Sequence, residues 1–397
     1  MNRTSAKRTT GIKTTGLILA MILAIPALLG GCWDYREIDD QIIISGAAVD
    51  YDRESRGISL TVEIALPTAS DKESSFTSKI YQAKGQNIPE AIVALHSKAG
   101  RRLLWSHSKI LILGAGIMEN ERLFIGTMDW VKRNGETRET MWMVFSEEKT
   151  AGEILQRAEP QTEKIISYYL DRLFLAAEAE TFISMPYSEV MYDLSSPSAC
   201  IHLPAVRLED SDGGKLPFIN GTAVFRRTKV AGWLDGKQTR ILALLLNKLN
   251  RVVFVLRPSG HSTLPQVSLR TSHCQTAIEP VLSQNTLRMK VRVKIEAQIA
   301  EIDGVKEVFK PAALKKLKEE AQRMIAAEIM ELLNLLKEKY QSDVLGFGSQ
   351  VENKYPQQWR RIRSHWESVY ARIPAVVRVE LNVTGSEQSM AETKEGR

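Results

Sequence analysis

Cysteine is scarce in this chain: three residues among 397, at positions 32, 200 and 274. Beyond Cys32, two isolated thiols can close one disulfide at most, and they make neither a metal site nor a stapled scaffold. Buried free thiols are their expected state. Histidine is nearly as thin, with six residues at 96, 107, 202, 261, 273 and 365. No two of them have the four-residue helical spacing of a zinc site. The Gly-x-Ser-x-Gly elbow of a serine hydrolase is missing. "ILILGAGIME" sets Gly114 and Gly116 between a strand and a helix, yet Glu119 stands where a dinucleotide fingerprint needs its third glycine. There is no internal repeat and no concentrated basic stripe of the kind a nucleic-acid binder carries. These absences predict a protein with no catalytic set, metal, cofactor or nucleic-acid partner.

Acid is also missing from residues 1–13, which hold Arg3, Lys7, Arg8 and Lys13. The run "GLILAMILAIPALL" (16–29) follows, apolar almost throughout and shorter than the roughly 20 residues of a membrane-spanning helix. A basic start, a short apolar core and small residues ahead of a cut make a secretory signal. The run ends at "GGCWDYREIDD", where one cysteine separates greasy from charged sequence. Leu29-Gly30-Gly31-Cys32 resembles the bacterial lipobox, in which the cysteine thiol is diacylated and the chain is cut before it. Removing residues 1–31 leaves 49 basic against 47 acidic residues, so the net charge falls from +6 to +2.

Past Gln41 the chain reads as mixed strands and helices. "IIISGAAVDYD", "GISLTVEIALP" and "KIYQAKG" are β-rich, a helix is expected over Ile88–Leu104, and "KILILG" is short and apolar enough to be a strand buried on both faces. Another helix is expected over Met118–Lys132 and "TMWMVFS" is the next strand. Thr150 and Glu153 have capping-box spacing for a further helix. An amphipathic helix is expected within 162–180. Gly221–Arg226 and Lys229–Leu234 flank a polar turn as a hairpin, ahead of a helix over Thr239–Leu249.

The last third is the most regular. "LRMKVRVKIEAQI" alternates Met289, Val291, Val293 and Ile295 with basic residues, and "AVVRVELNV" repeats the pattern, as antiparallel strands with one wet face do. Between them, apolar residues at 314, 317, 321, 325, 329, 332 and 336 mark one long helix over 311–340, opened by Pro311. A second helix is expected in "PQQWRRIRSHWESVYARI". The fold class predicted is α+β in three mixed domains: an N-terminal domain over 32–196, a small hairpin-bearing middle domain over 197–260, and an antiparallel sheet packed by the long helix over 261–384. A disordered tail over 385–397 completes the chain.

Four segments together resemble the Ger(x)C family, the C-subunit lipoproteins of spore germinant receptors. They are "CWDYREIDD"; "SHSKILILG" with "DWVKRNGETRET" (Asp129–Thr140); "INGTAVFRRTKVAGWLDG" (Ile219–Gly236); and "LGFGSQVENKYPQQWRRIRSHW" (Leu345–Trp366). The resemblance implies a non-enzymatic subunit, held by a diacylglyceryl group on Cys32 to the outer face of the spore inner membrane. Its implied partners are integral-membrane A and B subunits, and its implied role is nutrient-triggered germination. Two acyl chains are the usual threshold for stable anchoring. The competing class is a lipid-anchored solute-binding protein of a nutrient transporter, which needs two doubly wound lobes. Ile110 and Ile112 are expected in a central strand, with Arg133 and Arg138 making local pairs or backbone bonds near its end.

Overall fold

In a computed structural model, the residues described are 41–68, 75–160, 162–176, 181–196, 198, 200–249, 251–257, 266–284, 286–302 and 311–384. Cys32, the leader and the 385–397 tail lie outside them.

β1 (Gln41–Asp52), β2 (Gly57–Thr68) and β3 (Ser75–Gly85) pair antiparallel in sequence order. The helix α1 (Ile88–Ala99) follows, capped by the Asn87 side chain. It stops earlier than the sequence pattern predicts. Gly100 turns left-handed at φ 69° and donates to the His96 carbonyl, after which Arg102–Leu104 runs as the short strand β4. Such a left-handed glycine satisfies the last helical carbonyls and ends the helix. β5 (Ile110–Leu113) is buried along its whole length, and Ile110 and Ile112 have no exposed surface. α2 (Ala115–Glu119) and α3 (Glu121–Arg133) replace the single helix expected there, because the Asn120 side chain caps α3 at Leu123 N.

Next come β6 (Trp142–Ser146), α4 (Gly152–Arg157), α5 (Ile166–Leu175) and α6 (Tyr187–Ser195). β7 (His202–Ser211), β8 (Gly214–Arg226) and β9 (Lys229–Leu234) then complete a nine-stranded sheet. Its order is β3-β2-β1-β5-β6-β7-β8-β9, with β4 on β1 beside that path. The middle four strands, β1, β5, β6 and β7, run parallel. The helices between them are the crossovers that parallel neighbours require. The expected hairpin is present as β8–β9, but it extends this sheet through β7 and forms no sheet of its own.

α7 (Gly236–Leu245) starts earlier than predicted, at a capping box made by Asp235 and Gln238. The second sheet holds β10 (Val253–Leu256), β11 (Val267–Ser283), β12 (Thr286–Ile302) and, last in the chain, β13 (Ala375–Thr384). α8 (Pro311–Asn334) runs on into a π-helical turn, Leu335–Tyr340, so the long helix spans the predicted range. Its buried stripe includes Leu317, Ala321, Ile325, Ile329, Leu332 and Leu336. That stripe shares one core with Met289, Val291, Val293 and Ile295 of β12. The sheet itself differs from expectation: β10–β11–β12 are antiparallel, but β13 lies parallel to β12. The long helix reverses the chain before β13, making a crossover in place of a hairpin. The α+β class holds, and the second sheet has no doubly wound lobe of the solute-binding kind.

Two buried carboxyl groups fasten helices of the first half to its sheet. Asp50 of β1 accepts from Ala151 N at 2.7 Å and Gly152 N at 2.9 Å. It caps α4 from a hundred residues away, while Thr150 makes only a 3.4 Å contact with Glu153. The local capping box is therefore replaced by a tertiary one. Glu63 of β2 does the same for α5, accepting from Ile166 N at 2.7 Å and Ser167 N at 2.8 Å. A helix start offers unpaired N–H groups and a partial positive charge, so a buried carboxylate is stabilised there.

Candidate functional site

The chain leaving the long helix builds the most polar buried cluster in its half. Gln341 turns left-handed at φ 49°, which swings Ser342 and Asp343 inward. Ser342 Oγ donates to the Phe225 carbonyl at 2.6 Å, tying the turn to β8. Tyr370 OH donates to the Ser342 carbonyl at 2.9 Å. Asp343 accepts from Phe347 N and Gly348 N, both at 2.8 Å, and from the Trp366 indole Nε1 at 3.0 Å. It thereby caps α9 (Phe347–Lys354), after the left-handed Gly346. α10 (Pro356–Ile362) and α11 (Trp366–Tyr370) follow. The single helix predicted there is split by a 3-10 turn over Arg363–His365.

These groups floor a cleft of about 310 Å³. Cys200, Asp343, Trp366 and Tyr370 form its base, and Arg227, Arg363, Ser364 and His365 stand at its mouth. Arg227 reaches Glu367 at 3.5 Å. Burial pushes the Asp343 carboxyl up to about 7, against the pull of its three hydrogen bonds. Burial likewise raises the Cys200 thiol and takes the Tyr370 phenol well above its ordinary range. A raised thiol is a poor nucleophile. The cleft therefore offers hydrogen-bond donors and positive charge above a floor of satisfied groups, an arrangement suited to recognition.

A second, wider cleft of about 710 Å³ opens at the carboxyl ends of β5 and β6, between Glu147, Trp233, Lys339 and Tyr340. The Tyr340 OH donates to the Trp233 carbonyl at 2.9 Å, closing the long helix onto β9. Burial raises Glu147, with Arg207 3.8 Å away.

The sequence motifs distribute unevenly over this geometry. "INGTAVFRRTKVAGWLDG" supplies Arg227, and the end of "LGFGSQVENKYPQQWRRIRSHW" supplies the wall from Arg363 to Trp366. "SHSKILILG" is scaffold, as β5. Arg133 pairs with Asp129 at 2.7 Å, and the Arg138 carbonyl accepts from Met141 N. Neither lines either cleft. Asp343 and Cys200 were not singled out by their sequence setting. The one readable signal for Asp343 is an acid shortly before a glycine turn and a helix start. Neither Cys200 nor Cys274 is in a disulfide, and Cys274 is buried. Among the described residues no group of acids, cysteines and histidines is arranged to hold a metal. No described helix is long and apolar enough to cross a membrane.

Two family descriptions match in order along the chain. "Spore germination protein N-terminal domain" covers residues 34–208, and "Spore germination B3/GerAC like, C-terminal" covers 220–387. The chain belongs to the GerAC family of spore germination proteins. The two matched segments meet across the β7–β8 pairing, so both contribute strands to the first sheet. This family member is 25% identical over 394 residues to spore germination protein KC of Bacillus subtilis (strain 168), covering 92% of this chain and 94% of that one. It is 22% identical over 374 residues to spore germination protein GerQC of Bacillus cereus, covering 93% and 98%. The crystal structure of the GerBC protein shares the fold, with a TM-score of 0.52 at 16% identity over 85% of this chain and 96% of that one. The family places this chain in spore germination.

Proposed function

We propose that this chain is the lipid-anchored C subunit of a nutrient germinant receptor, attached to the outer face of the spore inner membrane through diacylglyceryl-Cys32. It works there with integral-membrane A and B subunits and carries out no chemistry of its own. The observation that carries this reading is positional. Family sequence starts at residue 34, directly behind the Leu29–Cys32 box, and continues to residue 387. A short apolar leader and one acylatable cysteine ahead of a folded body make a tethered protein.

The test is co-purification of the full chain from detergent-solubilised spore membranes, alongside germination of spores lacking it. Recovery of two polytopic membrane proteins with the tagged chain, and a lost response to at least one nutrient, is the expected result. Recovery of the chain alone from membranes, with every nutrient response intact, would refute the reading.

A further inference from the structure

We propose that the cleft above Asp343 is a binding site for a small oxyanion, a carboxylate or phosphate group. Four features of the site converge on this. First, the mouth is cationic: the Arg227 and Arg363 guanidiniums line it beside the His365 ring, and Glu367, 3.5 Å from Arg227, is the one acid at the rim. Guanidinium groups bind planar oxyanions through paired N–H donors, more strongly than neutral donors do. Second, Ser198 and Ser364 line the same space, while the Ser368 hydroxyl donates to the His365 carbonyl at 2.9 Å and holds the turn that carries His365. Third, the Asp343 oxygens face Phe347 N, Gly348 N and Trp366 Nε1, so three N–H dipoles offset the carboxyl on the side away from solvent. Burial raises this carboxyl to about 7, which lessens its negative charge below that pH and supports the same point.

The fourth feature is backbone strain. Arg227 and Gln341 line the cleft, and both are non-glycine residues in the left-handed region, at φ 56° and 49°. Such conformations cost free energy and gather where a site needs a particular geometry. Arg227 sits at the tip of the β8–β9 hairpin, and Gln341 at the end of the π-helical turn. The 3-10 turn over Arg363–His365 breaks the adjoining helix at the same cleft. Three irregularities from separate parts of the chain thus present their polar groups to one space. Arg227 and Arg363 are exposed, so burial of apolar surface does not hold their side chains at this space.

The anion could be a free solute or the headgroup of a phospholipid, and the test separates the two. The full chain in neutral detergent, labelled with ¹⁵N-tryptophan, is titrated with inorganic phosphate, acetate and short-chain phosphatidylglycerol at constant ionic strength, with chloride as the control. The Trp366 indole N–H, which lies in the floor, should shift saturably with phosphate or acetate and not with chloride. Arg363→Gln and Arg227→Gln should each weaken binding about tenfold while leaving thermal unfolding unchanged, because both side chains are exposed. A saturable, Arg363-dependent shift with phosphatidylglycerol alone supports the site and assigns its anion to lipid. No saturable shift with any of the three, or a shift that survives both substitutions, would overturn the proposal.

Discussion

Glu63→Gln should weaken the fold far more than an isosteric change on a strand ordinarily does. Glu63 has no exposed surface and receives five donors on two oxygens. Oε1 accepts from Ile166 N and from Ser78 Oγ, both at 2.7 Å. Oε2 accepts from Ser167 N at 2.8 Å, from Ser167 Oγ, and from Ser45 Oγ at 3.1 Å. An amide must turn its NH₂ toward one of these sets. Hydroxyls can rotate to accept, but Ile166 N–H or Ser167 N–H cannot. One backbone donor is therefore stranded in either orientation, at about 1–3 kcal/mol, and the remaining bonds lose their charge assistance. The total expected is about 3 kcal/mol. Glu63→Ala strands both N–H groups and should cost about 5 kcal/mol, in the range for breaking a buried charged contact. Urea unfolding of the full chain reads this as a lower midpoint at unchanged slope. A Glu63→Gln loss below about 1 kcal/mol, or an alanine variant no worse than the glutamine one, would refute the claim that this carboxylate fastens α5 to the sheet.

Four further outcomes are expected. His202 is fully buried with both ring nitrogens unpartnered, and burial lowers it to about 3. The unfolded chain takes up a proton near pH 6.5 that the folded chain refuses, so stability should fall as pH drops from 6.5 toward 3, by up to about 4 kcal/mol, and His202→Gln should remove that loss in pH-dependent urea titrations. Asp343, raised to about 7, acts with the opposite sign: the folded chain keeps a proton that the unfolded one releases, so its stabilisation is lost as pH rises from about 4 to 7. Stability should therefore rise with pH over 4–6.5 in Asp343→Asn and fall over the same window in His202→Gln; equal slopes would contradict both assignments. Gly232→Ala would put a Cβ about 2.0 Å from the Tyr340 ring, so a loss of about 1–3 kcal/mol in thermal or urea unfolding is expected. Cys32→Ala should leave an uncut precursor, whereas mass spectrometry of the wild-type amino-terminal peptide should find it starting at Cys32 with a diacylglyceryl thioether; a free thiol there would exclude the anchor.

The amino-acid sequence alone determined the periodic parts of this protein. The alternation of Met289, Val291, Val293 and Ile295, and the three- and four-residue steps from Leu317 to Leu336, each specify one buried face, and those faces meet in one core. Local patterning suffices there because burying apolar area dominates, and it repeats at the period of the element. The motifs around Arg227 and Trp366 were legible too, though not the cleft they share. Tertiary structure decided the rest. Asp50 and Glu63 cap helices about a hundred residues downstream, so a local capping box at Thr150 lost to a partner no short window contains. β13 pairs parallel with β12 because the long helix reverses the chain, and alternation is identical for either strand direction. The site at Asp343 exists only where the hairpin tip, the π-helical turn and the 3-10 break converge. Hydrogen-bond demand and the loss of solvent there set the charge of Asp343, and neither is a property of its neighbours in sequence.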